Sequence, residues 1–250
     1  MAAVVAFEPG GYRYIKGVFQ YSAGVAAQPG FAIERVILAR PLPLAEGFAA
    51  AEAHLRRLGR PLTSFCACEL RSPEPFSEAG FYEFNRAYIR TLERWGITRD
   101  DANPVARTNV CPAFEPPPAP ALAAFCYTVP AAPGARASFV VAGGAEAPEG
   151  RPSYREAIVR PGDVSPAGLR DKLRYVAAEM ESRLAALGFF WPDALATRLY
   201  TVHDIGALAR EELGARGAAA HGLTWHFCRP PVTGLEVEMD VCTPARVEVL

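Results

Sequence analysis

Phe19-Gln-Tyr-Ser-Ala-Gly-Val-Ala-Ala-Gln-Pro-Gly30 and Phe139-Val-Val-Ala-Gly-Gly-Ala-Glu-Ala-Pro-Glu-Gly150 lie 120 positions apart and carry matching punctuation. Phe19 pairs with Phe139, Gly24 with Gly144 and Gly30 with Gly150, and the same offset pairs Arg40-Pro41 with Arg160-Pro161. A fixed offset of this size is the mark of a duplicated unit. It divides a length that is otherwise ambiguous between one domain and two.

The apolar pattern downstream repeats as well. Leu44, Phe48, Ala51, Leu55 and Leu58 follow the spacing of one helix face, stopped by Gly59. In the second half Leu169, Leu173, Val176, Met180, Leu184 and Leu187 do the same between a Ser165-Pro166 start and Gly188. A strand-like run follows each helix, Leu62 to Leu70 and Ala194 to Val202, and then a second helix, Ser77 to Trp95 and roughly Ile205 to Arg216. Two strand candidates close each half: Val105 to Cys111 and Leu122 to Val129, then Leu223 to Cys228 and Leu235 to Cys242. The order per half is β-β-α-β-α-β-β. The expected fold is α+β, two domains at 1–132 and 133–250, each a mixed β-sheet with two helices packed on one face. The boundary falls in the Pro/Ala/Gly stretch Pro130 to Arg136.

Composition narrows the function classes. Half of the 250 residues are hydrophobic and 21% are charged, enough for a sizeable core. With Lys+Arg at 26 against Asp+Glu at 27, no spare positive charge exists to neutralise a run of phosphates, so nucleic acid and anionic membrane are disfavoured as partners. No apolar run approaches the roughly 20 residues that cross a bilayer. The opening Met1 to Pro9 lacks a basic segment followed by an apolar one, and six cysteines in so long a chain need not be staples; a cytoplasmic protein with reduced thiols is expected. Cys66-Ala-Cys68 lacks the spacing of a zinc site, and strand alternation places both thiols on one sheet face as small core residues. Ala142-Gly-Gly-Ala145 is not a phosphate loop, and no nucleophile elbow is present.

The residues that differ between the halves are the candidates for chemistry. Arg107, at the start of a strand after a turn, can hold a carboxylate bidentately, or it can be a solvated surface arginine. In Gly234-Leu-Glu-Val-Glu-Met-Asp240, alternation puts Glu236, Glu238 and Asp240 on one face. That face is either solvated or, if it lines a cleft, a place where mutual repulsion raises a carboxyl pKa and creates a general base. His203 and His226 can form an acid/base pair or serve as hydrogen-bonded structural residues. Tyr21, beside Gly24, is a candidate wall of the same cleft.

Val105-Ala-Arg-Thr-Asn-Val110, Val140-Ala-Gly-Gly-Ala-Glu-Ala-Pro-Glu-Gly150 and Leu235-Glu-Val-Glu-Met239 together resemble the reactive-intermediate deaminase (RidA/YjgF) superfamily. The resemblance implies a chorismate-mutase-like domain in tandem, a substrate-carboxylate role for Arg107 and a water-positioning role for Glu238. Neither half holds both groups: Cys126 stands at the glutamate position of the first half, and Leu223 or Thr224 at the arginine position of the second. Over nearly the whole chain, Tyr12 to Gly24, Phe65 to Pro73 and Leu223 to Pro231 resemble the tandem 2-amino-5-chloromuconate (2-aminomuconate) deaminases of the CnbZ type. Such an enzyme, a hydrolase of enamine/imine acids, releases ammonia without a cofactor. Its demands are a cation for each substrate carboxylate, a proton donor for carbon and a base for water. Arg71 or Arg229 is then the second carboxylate clamp, and His226 or His203 the proton shuttle. The partner implied is a small carboxylic acid, and a homo-oligomer, with a trimer favoured, follows from the family. The alternative is a non-catalytic, small-acid-binding or regulatory relative.

Overall fold

The computed structural model describes residues 3–98, 102–150, 153 and 155–250. In chain order the elements are β1 (Val4–Phe7), β2 (Tyr12–Ile15), β3 (Gly24–Ala27), β4 (Phe31–Pro43), α1 (Leu44–Arg57), β5 (Phe65–Arg71), α2 (Glu78–Arg94), β6 (Ala106–Pro112) and β7 (Ala121–Pro130) in the first half. The second half supplies β8 (Phe139–Ala145), α3 (Pro166–Ala186), β9 (Ala196–Tyr200), α4 (Gly206–Glu212), β10 (Leu223–His226), β11 (Cys228–Arg229), β12 (Glu238–Thr243) and β13 (Arg246–Val249).

Local chemistry sets the helix limits. The Ser77 and Ser165 hydroxyls accept from the backbone N–H groups of Gly80 and Gly168, capping α2 and α3. Gly59 and Gly188, at φ +64° and +81°, let the chain turn back beyond α1 and α3.

The thirteen strands form two sheets, ordered β1-β2-β3-β8-β12-β9-β10 and β11-β6-β5-β7-β4-β13. This overturns the expected tandem of RidA-like, chorismate-mutase-like domains with one self-contained mixed sheet each. The three N-terminal strands complete the sheet of the second half: Gly24, Val25 and Ala26 of β3 pair with Val141, Val140 and Phe139 of β8. In return, β11 pairs with β6 and β13 runs parallel to β4, extending both edges of the other sheet. The two quoted glycine segments are therefore hydrogen-bonded neighbours in a single sheet. An open strand edge must pair or be covered, and here each half closes the edges of the other. The Arg-Pro repeat also diverges: Arg40 lies in the extended β4, whereas Arg160 turns the chain at φ +50°.

Helices cover the outer faces. Leu55, Tyr88, Leu92 and Phe125 lie in the core between α1, α2 and the six-stranded sheet, and Val176, Met180, Leu199 and Val241 in that between α3, α4 and the seven-stranded sheet. Full burial of each such side chain contributes about 1.5–3 kcal/mol. A third cluster, including Tyr12, Val25 and Val140 from one sheet and Ile33, Cys66 and Ala106 from the other, fills the space between sheets. The arrangement is helix, sheet, sheet, helix.

Three sequence expectations are settled by strand pairing. The ladder between β5 and β7 shifts register between Phe65 and Ala67, and an extra residue reverses which face the following side chains take. Cys66 consequently joins the cluster between sheets while Cys68 faces the helices, so the two thiols do not share a face. The acids of β12 do share one, but it is the inter-sheet face: Glu238 and Asp240 are buried while Met239 and Val241 face α3. Leu223 to Cys228 is split as well, because the chain leaves β9 after His226 and crosses to β6 at Cys228.

Candidate active site

On β6 the pleat sends Arg107 and Asn109 to one face and Thr108 to the other. Arg107 is 3% exposed, and its Nη1 donates to Asn85 Oδ1 of α2 at 2.5 Å. The guanidinium carbon lies 4.8 Å from the Tyr21 ring centre, 5.0 Å from Tyr88, 5.5 Å from Phe81 and 5.7 Å from Phe84. Aromatic faces attract a cation and fix its plane without neutralising it. Among the described residues, no carboxylate comes within ion-pair distance of this guanidinium. The Arg107 charge is therefore held by aromatic faces and one amide oxygen, without a carboxylate partner among the described residues.

Glu238 opens β12, opposite Ala145 of β8 and Tyr200 of β9. Burial pushes its carboxyl well above the usual glutamate range, and the neighbouring Asp240 adds to the rise, while Arg107 and Arg183 pull it back in part. Room for this carboxyl comes from Gly143: a Cβ there would collide with Glu238 Oε1 and press on Thr108 Cα at 3.2 Å. Arg183 of α3 fixes the glycine strand from behind, with Nη1 3.3 Å from the Ala142 carbonyl and 3.4 Å from that of Gly143. Its Nη2 donates to Glu149 at 2.9 Å, and Tyr21 donates its hydroxyl to the same Glu149 oxygen at 2.8 Å.

Arg107 from the first half and Glu238 from the second line one cleft, with Tyr21, Phe81, Asn109, Gly143, Glu149, Val232 and Leu235 among the other walls. Beneath it, Arg198 forks onto Asp240 at 2.6 and 2.9 Å, and Thr108 donates to Asp240 at 2.6 Å. Arg198 reaches across to Glu69 at 2.7 Å, which Arg35 holds from the other side at 2.7 and 3.0 Å. Charges buried with this many partners are compensated, and the network rivets the two sheets at the floor of the cleft.

The remaining sequence candidates lie outside that cleft. His203 Nε2 contacts Glu236 Oε2 at 2.6 Å, and Arg229 stands 3.9 Å from the same carboxylate. The His226 ring stacks on Tyr200 at 4.9 Å, and burial holds its pKa below the usual histidine value, assisted by the positive charges of Arg71 and Arg198. Arg71 lies 3.6 Å from Glu69. None of these four is among the lining residues. Asn109, Gly143 and Glu149 escaped the sequence reading. The i, i+2 relation of Asn109 to Arg107 on a strand was the available signal, whereas nothing in sequence brings Gly143 to Glu238.

The family described as 2-aminomuconate deaminase CnbZ matches residues 4–248. The chain belongs to this family. It is 58% identical over 251 residues to the 2-amino-5-chloromuconate deaminase of Comamonas testosteroni, with both chains covered in full. Among solved structures, a chorismatase aligns with 91% of this chain and 78% of its own at 13% identity and TM-score 0.49. Serine-bound TdcF of E. coli aligns with 46% of this chain and 84% of its own at 12% identity and TM-score 0.33. No helix among the described residues is long and apolar enough to cross a membrane.

Proposed function

We propose that this chain is a deaminase of aminomuconates, acting on 2-aminomuconate or 2-amino-5-chloromuconate as an enamine acid and releasing ammonia, with no cofactor required. Family membership carries the substrate class. The meeting of Arg107 and Glu238 in one cleft, with halves 1–132 and 133–250 each supplying one wall, is the observation that favours an enzyme over a non-catalytic acid-binding relative.

The chemistry follows from the two environments. Arg107 binds the carboxylate beside the amino-bearing carbon bidentately, fixing that carbon against β12. Glu238, whose carboxyl burial shifts towards the protonated form, gives its proton to the enamine carbon; the nitrogen lone pair moves in to form C=N, and the Glu238 carboxylate is left beside Arg107. That carboxylate then takes a proton from water as the water oxygen bonds to the imine carbon. Proton return to nitrogen and loss of ammonia leave a carbonyl, so substrate plus one water balances product plus ammonia. One carboxyl that starts neutral can serve both proton steps, which leaves His203 and His226 outside the reaction.

The partner is a small carboxylic acid, not nucleic acid, in keeping with the net charge of −1. A homo-oligomer is supported by an exposed aromatic pair: Phe114 and Phe227 stack at 5.2 Å, with Phe114 74% exposed. Light scattering of the purified chain tests this, a monomer at micromolar concentration being the contrary result. The activity is tested by ammonia release coupled to loss of the diene absorbance of 2-aminomuconate. Wild-type protein should turn over, and Arg107→Ala should lose roughly 10²-fold or more in kcat/KM with the fold retained. Binding of the acid without ammonia release would favour the non-catalytic reading.

A further inference from the structure

A muconate is a dicarboxylate, yet among the described residues lining the cleft Arg107 is the one cation, and the expected second clamps, Arg71 and Arg229, do not line it. The far end of such a substrate must therefore meet something else. Asn109 is 3% exposed and lines the cleft. Its Oδ1 accepts a hydrogen bond from the buried Ser72 hydroxyl at 2.9 Å, while its Nδ2, fully shielded from bulk solvent, has no partner among the described residues. A buried amide N–H left unpaired costs about 1–3 kcal/mol, so a fold that retains one at the wall of a cleft holds a donor awaiting an acceptor.

Resting on the deaminase reading, we infer that Asn109 is the specificity residue for the second carboxylate, with Ser72 as its positioning residue. Arg107 and Asn109 are two apart on one strand face, which separates their Cα atoms by about 7 Å along the rise. An extended six-carbon diacid has its carboxyls at a comparable separation, so one end reaches the guanidinium while the other reaches the amide. Glu149 is already engaged by Tyr21 and Arg183, so it does not compete for this amide, and a neutral N–H₂ meets the second carboxylate by hydrogen bonding alone. Ser72, donating to Oδ1 at 2.9 Å, fixes which end of the amide is the oxygen and leaves the unpartnered N–H₂ as the end available to a ligand. The reversed amide would set an oxygen against the carboxylate.

The test uses two unreactive six-carbon acids differing at one end, muconate with two carboxylates and hexa-2,4-dienoate with one, titrated calorimetrically into the full-length protein. Wild-type protein should prefer muconate by about 10- to 100-fold, the range for a hydrogen bond to a charged group. Asn109→Leu should remove that preference while leaving the monoacid Kd within about twofold. Asn109→Asp, nearly isosteric and still able to accept from Ser72, guards against misfolding and should bind muconate more weakly than Asn109→Leu does. Ser72→Ala should lose part of the same preference. Arg107→Ala should weaken both acids alike. Equal weakening of both acids in the Asn109 variants, or a wild-type protein with no preference, overturns the assignment. Ammonia release from 2-aminomuconate, measured separately, shows whether the deaminase reading stands regardless.

Discussion

Gly143→Ala is the smallest change that tests how the site is built. The added Cβ would fall on Glu238 Oε1 and lie 3.2 Å from Thr108 Cα. Backbone at Thr108 can give a few tenths of an ångström, so the glutamate must move by about 1 Å to restore normal contact. Misplacement of a reacting group on that scale costs on the order of 10²-fold in rate. Overpacking of this kind costs about 1–3 kcal/mol in stability. The expected result is a fall in kcat of about two orders of magnitude, with KM little changed because Arg107 is untouched, and a Tm lower by several degrees. The decisive assay is the double variant. If Gly143 acts by making room for Glu238, adding Gly143→Ala to Glu238→Ala should cost no further activity, because the group it displaces is gone. Full activity in the single variant, or multiplicative losses in the double, refutes the packing argument.

The other expectations are more direct. Glu238 ionises well above the roughly 4.3 of an unfolded glutamate, so the stability it contributes as a neutral acid is fully present below that pH and is lost as pH rises through its native pKa. Glu238→Gln should escape this loss; its Tm advantage over wild type should widen from pH 5 towards alkaline pH in differential scanning calorimetry, and a constant gap would contradict the raised pKa. Lys172 and Glu146, both 0% exposed and 3.3 Å apart, form a buried pair, with Glu146 also accepting from the backbone N–H groups of Glu236 and Val237 ahead of Glu238. Lys172→Met should cost about 3–5 kcal/mol in urea unfolding by stranding the carboxyl, and a loss below about 1 kcal/mol would mean the pair is not compensated as described. All six cysteines are buried and unpaired, and burial pushes Cys68 and Cys111 up to about 12. A thiol reagent at pH 8 should label the native chain slowly and the urea-unfolded chain rapidly at six positions; immediate labelling of native protein would show that these thiols are open to solvent.

Much of the local structure was legible in the sequence because its causes are local. Ser77 and Ser165 announce α2 and α3 by capping chemistry, Gly59 and Gly188 announce the turns beyond α1 and α3, and the apolar periodicity of Leu169 to Leu187 announces the buried face of α3. The types of the candidate groups were legible too: an arginine on β6 and a line of acids on β12 can be named from pattern and resemblance. A run of alternating acids looks the same whether its face meets water or another sheet, which is why the burial of Glu238 and Asp240 could not be read from Leu235 to Asp240. The register shift that separates Cys66 from Cys68 leaves no mark in composition, since it depends on the partner strand β7.

The sequence by itself determined that matching residues recur 120 positions apart, that the chain is α+β, and that Arg107 and Glu238 stand far apart along it. Only the tertiary structure decided that the two halves are not independent. Edges left open by one are closed by strands of the other, and β3 beside β8, with β11 beside β6, brings β6 up against the glycine strand and β12. Backbone hydrogen bonding is indifferent to sequence, so no pattern along the chain specifies which edge a strand will choose. That choice brought Arg107, Glu238 and Asn109 into one cleft.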